Sequence, residues 1–156
     1  MATDLSYKDA ISTSIATTAL NSLAAATYTD YLTEIDNTEA GGSCYQYGLV
    51  RVELGADLTC AAGAPYVGVW MFCAADGTNY PNPPTGTGAP PAQVQGWTIP
   101  ANASAVFRRG DLLIPIPLPP LKLKFKLYHG LHGTTAWNAT GNTATLYRWR
   151  DRIVTV

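Results

Sequence analysis

Apolar and polar side chains alternate two by two along this chain from Cys44 onward, and that period belongs to strands with one buried face. In Cys44 to Leu54, Gly48, Val50, Val52 and Leu54 fall on one face; Tyr45, Tyr47, Leu49, Arg51 and Glu53 fall on the other. Leu121 to Tyr128 sets Leu121, Leu123, Phe125 and Leu127 inward and Lys122, Lys124 and Lys126 outward. Ala144 to Val156 opposes Tyr147, Trp149 and Ile153 to Arg148, Arg150 and Arg152. Tyr66 to Ala74 is apolar on both faces, which predicts a strand central in its sheet or one covered outside by another subunit.

Between these runs stand turn signals. Asp76-Gly77 ends one strand, and Asn79 to Gly96 follows as a long loop with five prolines and three glycines, a candidate contact loop. Pro115, Pro117 and Pro119 alternate with Ile114, Ile116 and Leu118. In an extended strand these prolines remove N–H donors from one side only, which predicts an edge strand blunted on its outer edge. Ala10 to Ala26, rich in Ser, Thr and Ala, reads as an extended first strand and N-terminal arm within residues 1–26, and Asp30 to Gly42 as an exposed acidic loop or a short turn of helix.

Composition narrows the class. With 156 residues, one domain spanning 1–156 is expected, and 14 Gly and 11 Pro among 47% hydrophobic residues favour many short strands. The fold expected is all-β: an antiparallel β-sandwich, jelly-roll-like, with an extended N-terminal segment and one long Pro/Gly-rich loop. No apolar stretch approaches the roughly 20 residues of a membrane-spanning helix. Met1 to Ala10 has no basic lead followed by an apolar core, so cytoplasmic synthesis is expected.

Charge changes the picture further. Only 13% of residues are charged, about half the usual 25%, and they are sorted by sign. Through Asp57 there are eight acids against Lys8 and Arg51, whereas from Arg108 onward there are eight bases against Asp111 and Asp151. Sparse charge points to a surface hidden against other copies or partners. The acids Glu34, Asp36 and Glu39 could meet the basic ladders Lys122, Lys124, Lys126 and Arg148, Arg150, Arg152 within or between subunits. Solvated sheet faces are the alternative; nucleic acid is disfavoured by the net charge of −1. Tyr45, Tyr47, Trp137 and Trp149 are candidate interface anchors, or equally a sugar-stacking platform.

Candidate chemistry is thin. No carboxylate pair stands out, His129 and His132 in HGLHG read as a glycine turn, and Cys44, Cys60 and Cys73 fit no metal spacing and read as buried thiols. Arg109-Gly110-Asp111 reads as ordinary turn chemistry. A non-enzymatic role is expected, with no catalytic residue, metal or cofactor.

The Ala/Ser/Thr-rich lead into Leu20 to Ala24, the turn Ile35 to Thr38, the strand Gly48 to Val52, and Val69 to Gly77 running toward Tyr80 and Pro81 carry a resemblance. Over Ala10 to Tyr80 the chain resembles the small all-β structural proteins of tailed-phage virions. That resemblance implies a jelly-roll or immunoglobulin-like sandwich in the virion, made in the host cytoplasm. It implies a protein that decorates or cements the major capsid protein shell; together with the sparse charge, a homo-oligomer is expected, with a trimer among the options. The alternative it implies is a tail or fibre component that binds carbohydrate or a receptor.

Overall fold

The structure is a computed structural model that describes residues 4–38, 44–81 and 94–155. Nine strands follow in chain order: β1 (Asp4–Ala16), β2 (Ile35–Asp36), β3 (Tyr47–Thr59), β4 (Tyr66–Ala74), β5 (Gln95–Pro100), β6 (Val106–Asp111), β7 (Ile116–Pro117), β8 (Lys122–Gly130) and β9 (Thr143–Thr155). The described residues contain no helix. Two antiparallel sheets form a β-sandwich: one orders its strands β1-β9-β3-β6 with β7 also on β3, and the other β2-β8-β4-β5.

The pairing is nested. β1 pairs with β9, β2 with β8, β3 with β6 and β7, and β4 with β5. The chain therefore runs out along one half of a long antiparallel ribbon and returns along the other, folded so that successive pairs alternate between the sheets.

Side-chain parity dictates what fills the space between them. Val50, Val52 and Leu54 of β3, Val67, Val69 and Met71 of β4, Leu123, Phe125 and Leu127 of β8, and Ala144 and Leu146 of β9 form the buried core. Each large side chain fully removed from water here stabilises the fold by roughly 1.5–3 kcal/mol. The expected strand in Cys44 to Leu54 and the inward row of Leu121 to Leu127 are both present. β4 lies centrally, between β8 and β5, which accounts for its two apolar faces.

The proline run behaves as an edge. Ile116 and Leu118 are buried and Pro117 is exposed; Gly48 pairs with Ile116, and the Leu118 N–H donates to Gln46 O at 2.9 Å. Even-numbered residues thus bond β3 while the prolines face outward.

Three expectations need correction. The N-terminal arm is no free arm: β1 is paired with β9 from Asp4 to Ala16 with one bulge at Ile15, and Ile15, Ala16 and Leu20 are buried in this chain's own core. Asp30 to Gly42 is neither helix nor fully exposed loop over its described part, because β2 lies there and Leu32, Ile35 and Asn37 are buried. Arg109-Gly110-Asp111 is strand rather than turn, in β6. Most of the expected contact loop, residues 82–93, lies outside the described residues, and Gln95 and Gly96 belong to β5.

Candidate interaction surfaces

The outer face of the second sheet carries the lysine ladder. Lys122 and Lys124 of β8 stand beside Glu34, just before β2, with Nζ to carboxylate distances of 3.6 and 3.8 Å. These partly exposed pairs are worth at most about 1 kcal/mol each. Lys124 Nζ also sits 4.6 Å from the Tyr80 ring centroid, and the Tyr80 hydroxyl donates to Glu34 Oε2 at 2.9 Å. Burial first, and then that bond to Glu34, hold the Tyr80 phenol far above its usual range. Acid and base therefore meet within one subunit at this place.

Lys126 departs from the expected outward row. It is buried, with Nζ 5.5 Å from the Tyr31 ring, and burial lowers its ammonium pKa against an opposing pull from Asp30. Asp36 turns to its own backbone instead of the ladder, accepting from Thr38 N and Oγ1 at 2.9 and 2.6 Å; those bonds hold its carboxyl below the usual value. Glu39 lies outside the described residues.

Within the arginine ladder, Arg148 points into the sandwich instead of out to a surface. On β9 the inward parity is that of Ala144 and Leu146, and Arg148 continues it, buried beside Tyr45 with its guanidinium carbon 5.0 Å from that ring. Arg148 donates from Nη2 to Thr13 Oγ1 at 3.1 Å and from Nη1 to Asp36 O at 3.5 Å; burial lowers its pKa. Arg150 pairs with Asp9 at 2.8 Å. Arg152 lies in β9 opposite Tyr7, and its side chain is outside the described set.

Aromatic anchors divide likewise. Trp137 is 2% exposed and packs on the His129 ring at 5.2 Å, so it belongs to the core and offers no surface anchor. Tyr45 is buried under Arg148 and Arg150. Tyr47 and Trp149, paired across β3 and β9, do form an outer patch: their rings stack at 6.0 Å and 28°, Tyr47 is 40% exposed, and both line a groove of about 430 Å³ with Pro115 and Asp151.

Comparison with family models, curated proteins and solved structures finds no match for this chain. The surfaces must speak through their own chemistry.

One surface escaped the sequence reading. On the outer face of the second sheet Tyr28 lies 5.2 Å from Trp70 and 4.8 Å from Tyr128, and Tyr66 lies 5.7 Å from Tyr128. The Trp70 indole lies down over Gly68 and Gly96, where any Cβ would collide with it. Farther along, Tyr31 packs edge-on against Phe72 at 5.1 Å. The signal was present in the doubly apolar β4, but the cover comes from Tyr28 and Tyr31 of this same chain.

The first sheet holds a second unforeseen contact. Arg51 makes two bonds to Asp111, 2.6 and 3.1 Å, and lies 5.0 Å from the Tyr147 ring; the bonded carboxylate raises the Arg51 pKa. His129 and Gly130 are strand, in β8, rather than turn, and the two histidines offer no free ligand pair: His129 bonds Thr135 O and Leu131 N, and His132 Nδ1 accepts from Thr134 N and Thr135 N. Among the described residues no group of three His, Cys, Asp or Glu is placed to hold a metal. Burial raises the thiol pKa of Cys60 and Cys73.

Proposed function

We propose that this chain is a non-enzymatic structural subunit of a virion, a decoration or cement protein that associates with its own copies and with the major capsid protein of an assembled shell. The observation that supports the reading is the nested strand order of the sandwich, β1-β9-β3-β6 over β2-β8-β4-β5, which we read as a jelly-roll winding. That architecture recurs in viral shells and in lectins, and fold alone does not choose a role. The Tyr47–Trp149 patch favours protein contact, since a stacked, half-exposed Tyr/Trp pair beside Pro115 has the make-up of an interface anchor. Binding of this kind stabilises a shell by mass action and needs no reaction.

The test is co-sedimentation of the purified chain with shells of the virus that encodes it. Saturable occupancy, reduced at least about tenfold by Tyr47→Ala or Trp149→Ala, supports the reading. Its absence from virions together with no binding to shells overturns it.

A second reading is favoured by the Tyr28, Tyr66, Trp70 and Tyr128 cluster: a carbohydrate-binding sandwich in a tail or fibre. Glycan-array binding lost in Trp70→Ala would move the assignment there. Trp137 is unsuited to that test because its removal opens the core.

A further inference from the structure

The two edges of the first sheet are treated differently. On one side the proline run of β7 leaves no donors on its outer edge, and β6 beside it is six residues long. On the other side β1 runs for 13 residues without a proline, and no charged residue stands between Ala10 and Thr29. Among the described residues the backbone of 4–14 bonds only β9, and the strand's far end is met once, where Thr33 N donates to Ile15 O at 3.0 Å. A bulge between Ser14 and Ala16 interrupts this edge near its end, and Asp4, Lys8 and Asp9 charge its start, but the stretch Ala10 to Ser14 between them is a template for strand addition.

The inner face of this edge is also unfinished. Ile15 is fully buried, but Ile11, on the same core-facing parity, is 44% exposed. Ile11 lies opposite Arg148, whose guanidinium reaches Asp36 O of β2 in the facing sheet. β2 is only two residues long, and among the described residues nothing in the facing sheet covers Ile11.

We infer that β1 is a dimerisation strand that pairs antiparallel with β1 of a second copy, centred on Ile11, joining two first sheets into one. A two-fold axis normal to the sheet pairs residues of equal parity and makes the contact isologous. Charge excludes some registers, and the half-exposed Ile11 selects among the rest. Centring on Lys8 or Asp9 sets each against itself, and like charges directly opposite are destabilising. Centring on Ala10 sets Ile11 against Asp9. Centring on Ile11 sets Asp9 opposite Thr13, Lys8 opposite Ser14 and Ala10 opposite Ser12, and lays the two half-exposed isoleucines side by side. The association is a property of the isolated chain and needs nothing from the virion reading.

The experiment is sedimentation equilibrium of the full chain together with oxidative cross-linking of Ile11→Cys, the bridged peptides mapped by mass spectrometry. Expected are a dimer at tens of micromolar, a symmetric bridge at position 11 but none for Leu113→Cys at the exposed β6–β7 connection, and a dissociation constant at least about tenfold weaker for Ile11→Asp. Ile11→Asp retains the fold, because an acid there faces Arg148; Ile11→Cys tests the same contact with a small uncharged side chain. A monomer up to about 100 µM, or a dimer that bridges at position 113 and not at 11, overturns the proposal.

Discussion

Asn37 brackets Tyr45: its Oδ1 accepts from Tyr45 N at 3.1 Å while its Nδ2 donates to Tyr45 O at 2.9 Å, imitating a neighbouring strand. The same Nδ2 donates to Pro119 O at 2.9 Å, so one fully buried amide ties β2 to the approach of β3 and to the exit of β7. Replacing Asn37 with Ala strands the N–H and C=O of buried Tyr45, whereas Pro119 O keeps the Leu121 N–H at 2.8 Å. A loss of about 2–4 kcal/mol is expected, on the cost of leaving buried groups unpaired. It would appear as a lower urea midpoint with an unchanged slope; Asn37→Asp, which sets a buried carboxylate against the Tyr45 and Pro119 carbonyls, should be no milder than Ala at pH 7.

Gly68 and Gly96 exist for Trp70. Since a Cβ at either position meets the indole, Gly68→Ala should lift Trp70 off the sheet and break its packing with Tyr28, at a cost of about 1–3 kcal/mol. Tryptophan fluorescence should shift at the same time. Gly133→Ala, with nothing near its added methyl, is the control and should change stability by less than about 0.5 kcal/mol.

These glycines show where the sequence could be read and where it could not. Alternation in β3 and β8 reports a local fact, the two faces of a strand, so Val50, Val52, Leu123 and Phe125 were placed correctly from their neighbours alone. Alternation in β9 was also correct, but it does not say which row is inside. Tyr147 and Trp149 look more apolar than Arg148, yet Ala144 and Leu146 set the inward parity and Arg148 follows it, buried over the Tyr45 ring. Trp137 sits in a connection with no period; it packs on the nearby His129, and its backbone N–H donates to Leu23 O, far away in sequence. The cover over β4 depends on Tyr28 and Tyr31, about 40 positions earlier, which no local pattern reveals.

Charge reversal of the lysine ladder should act first within the subunit. Because Glu34 already lies near both Lys122 and Lys124, changing them to Glu places like charges along β2 and β8. A double-mutant cycle of Glu34→Ala with Lys122→Ala should return a coupling below about 1 kcal/mol. That coupling should shrink as salt is raised, since both groups are partly exposed. A larger, salt-independent coupling would mean the pair is buried by something beyond this chain.

His129 makes the fold sensitive to acid. Fully buried, it bonds Thr135 O from Nε2 at 2.7 Å and receives the Leu131 N–H on Nδ1 at 3.3 Å, an arrangement that requires the neutral ring with its proton on Nε2. Burial lowers its pKa below 6.5, opposed by the Thr135 carbonyl and aided by His132. The unfolded chain therefore takes up the proton first, and this contribution to stability is whole above about pH 6.5 and declines as pH falls toward the folded value. One proton sets the limit, a slope of at most about 1.4 kcal/mol per pH unit. Urea midpoints between pH 8 and pH 5 should show that decline in the wild type, with Trp137 emission changing as its stacked neighbour is disturbed. His129→Phe should be less stable at pH 8, having lost both bonds, but flatter with pH; if it keeps the wild-type slope, the acid sensitivity comes from another group.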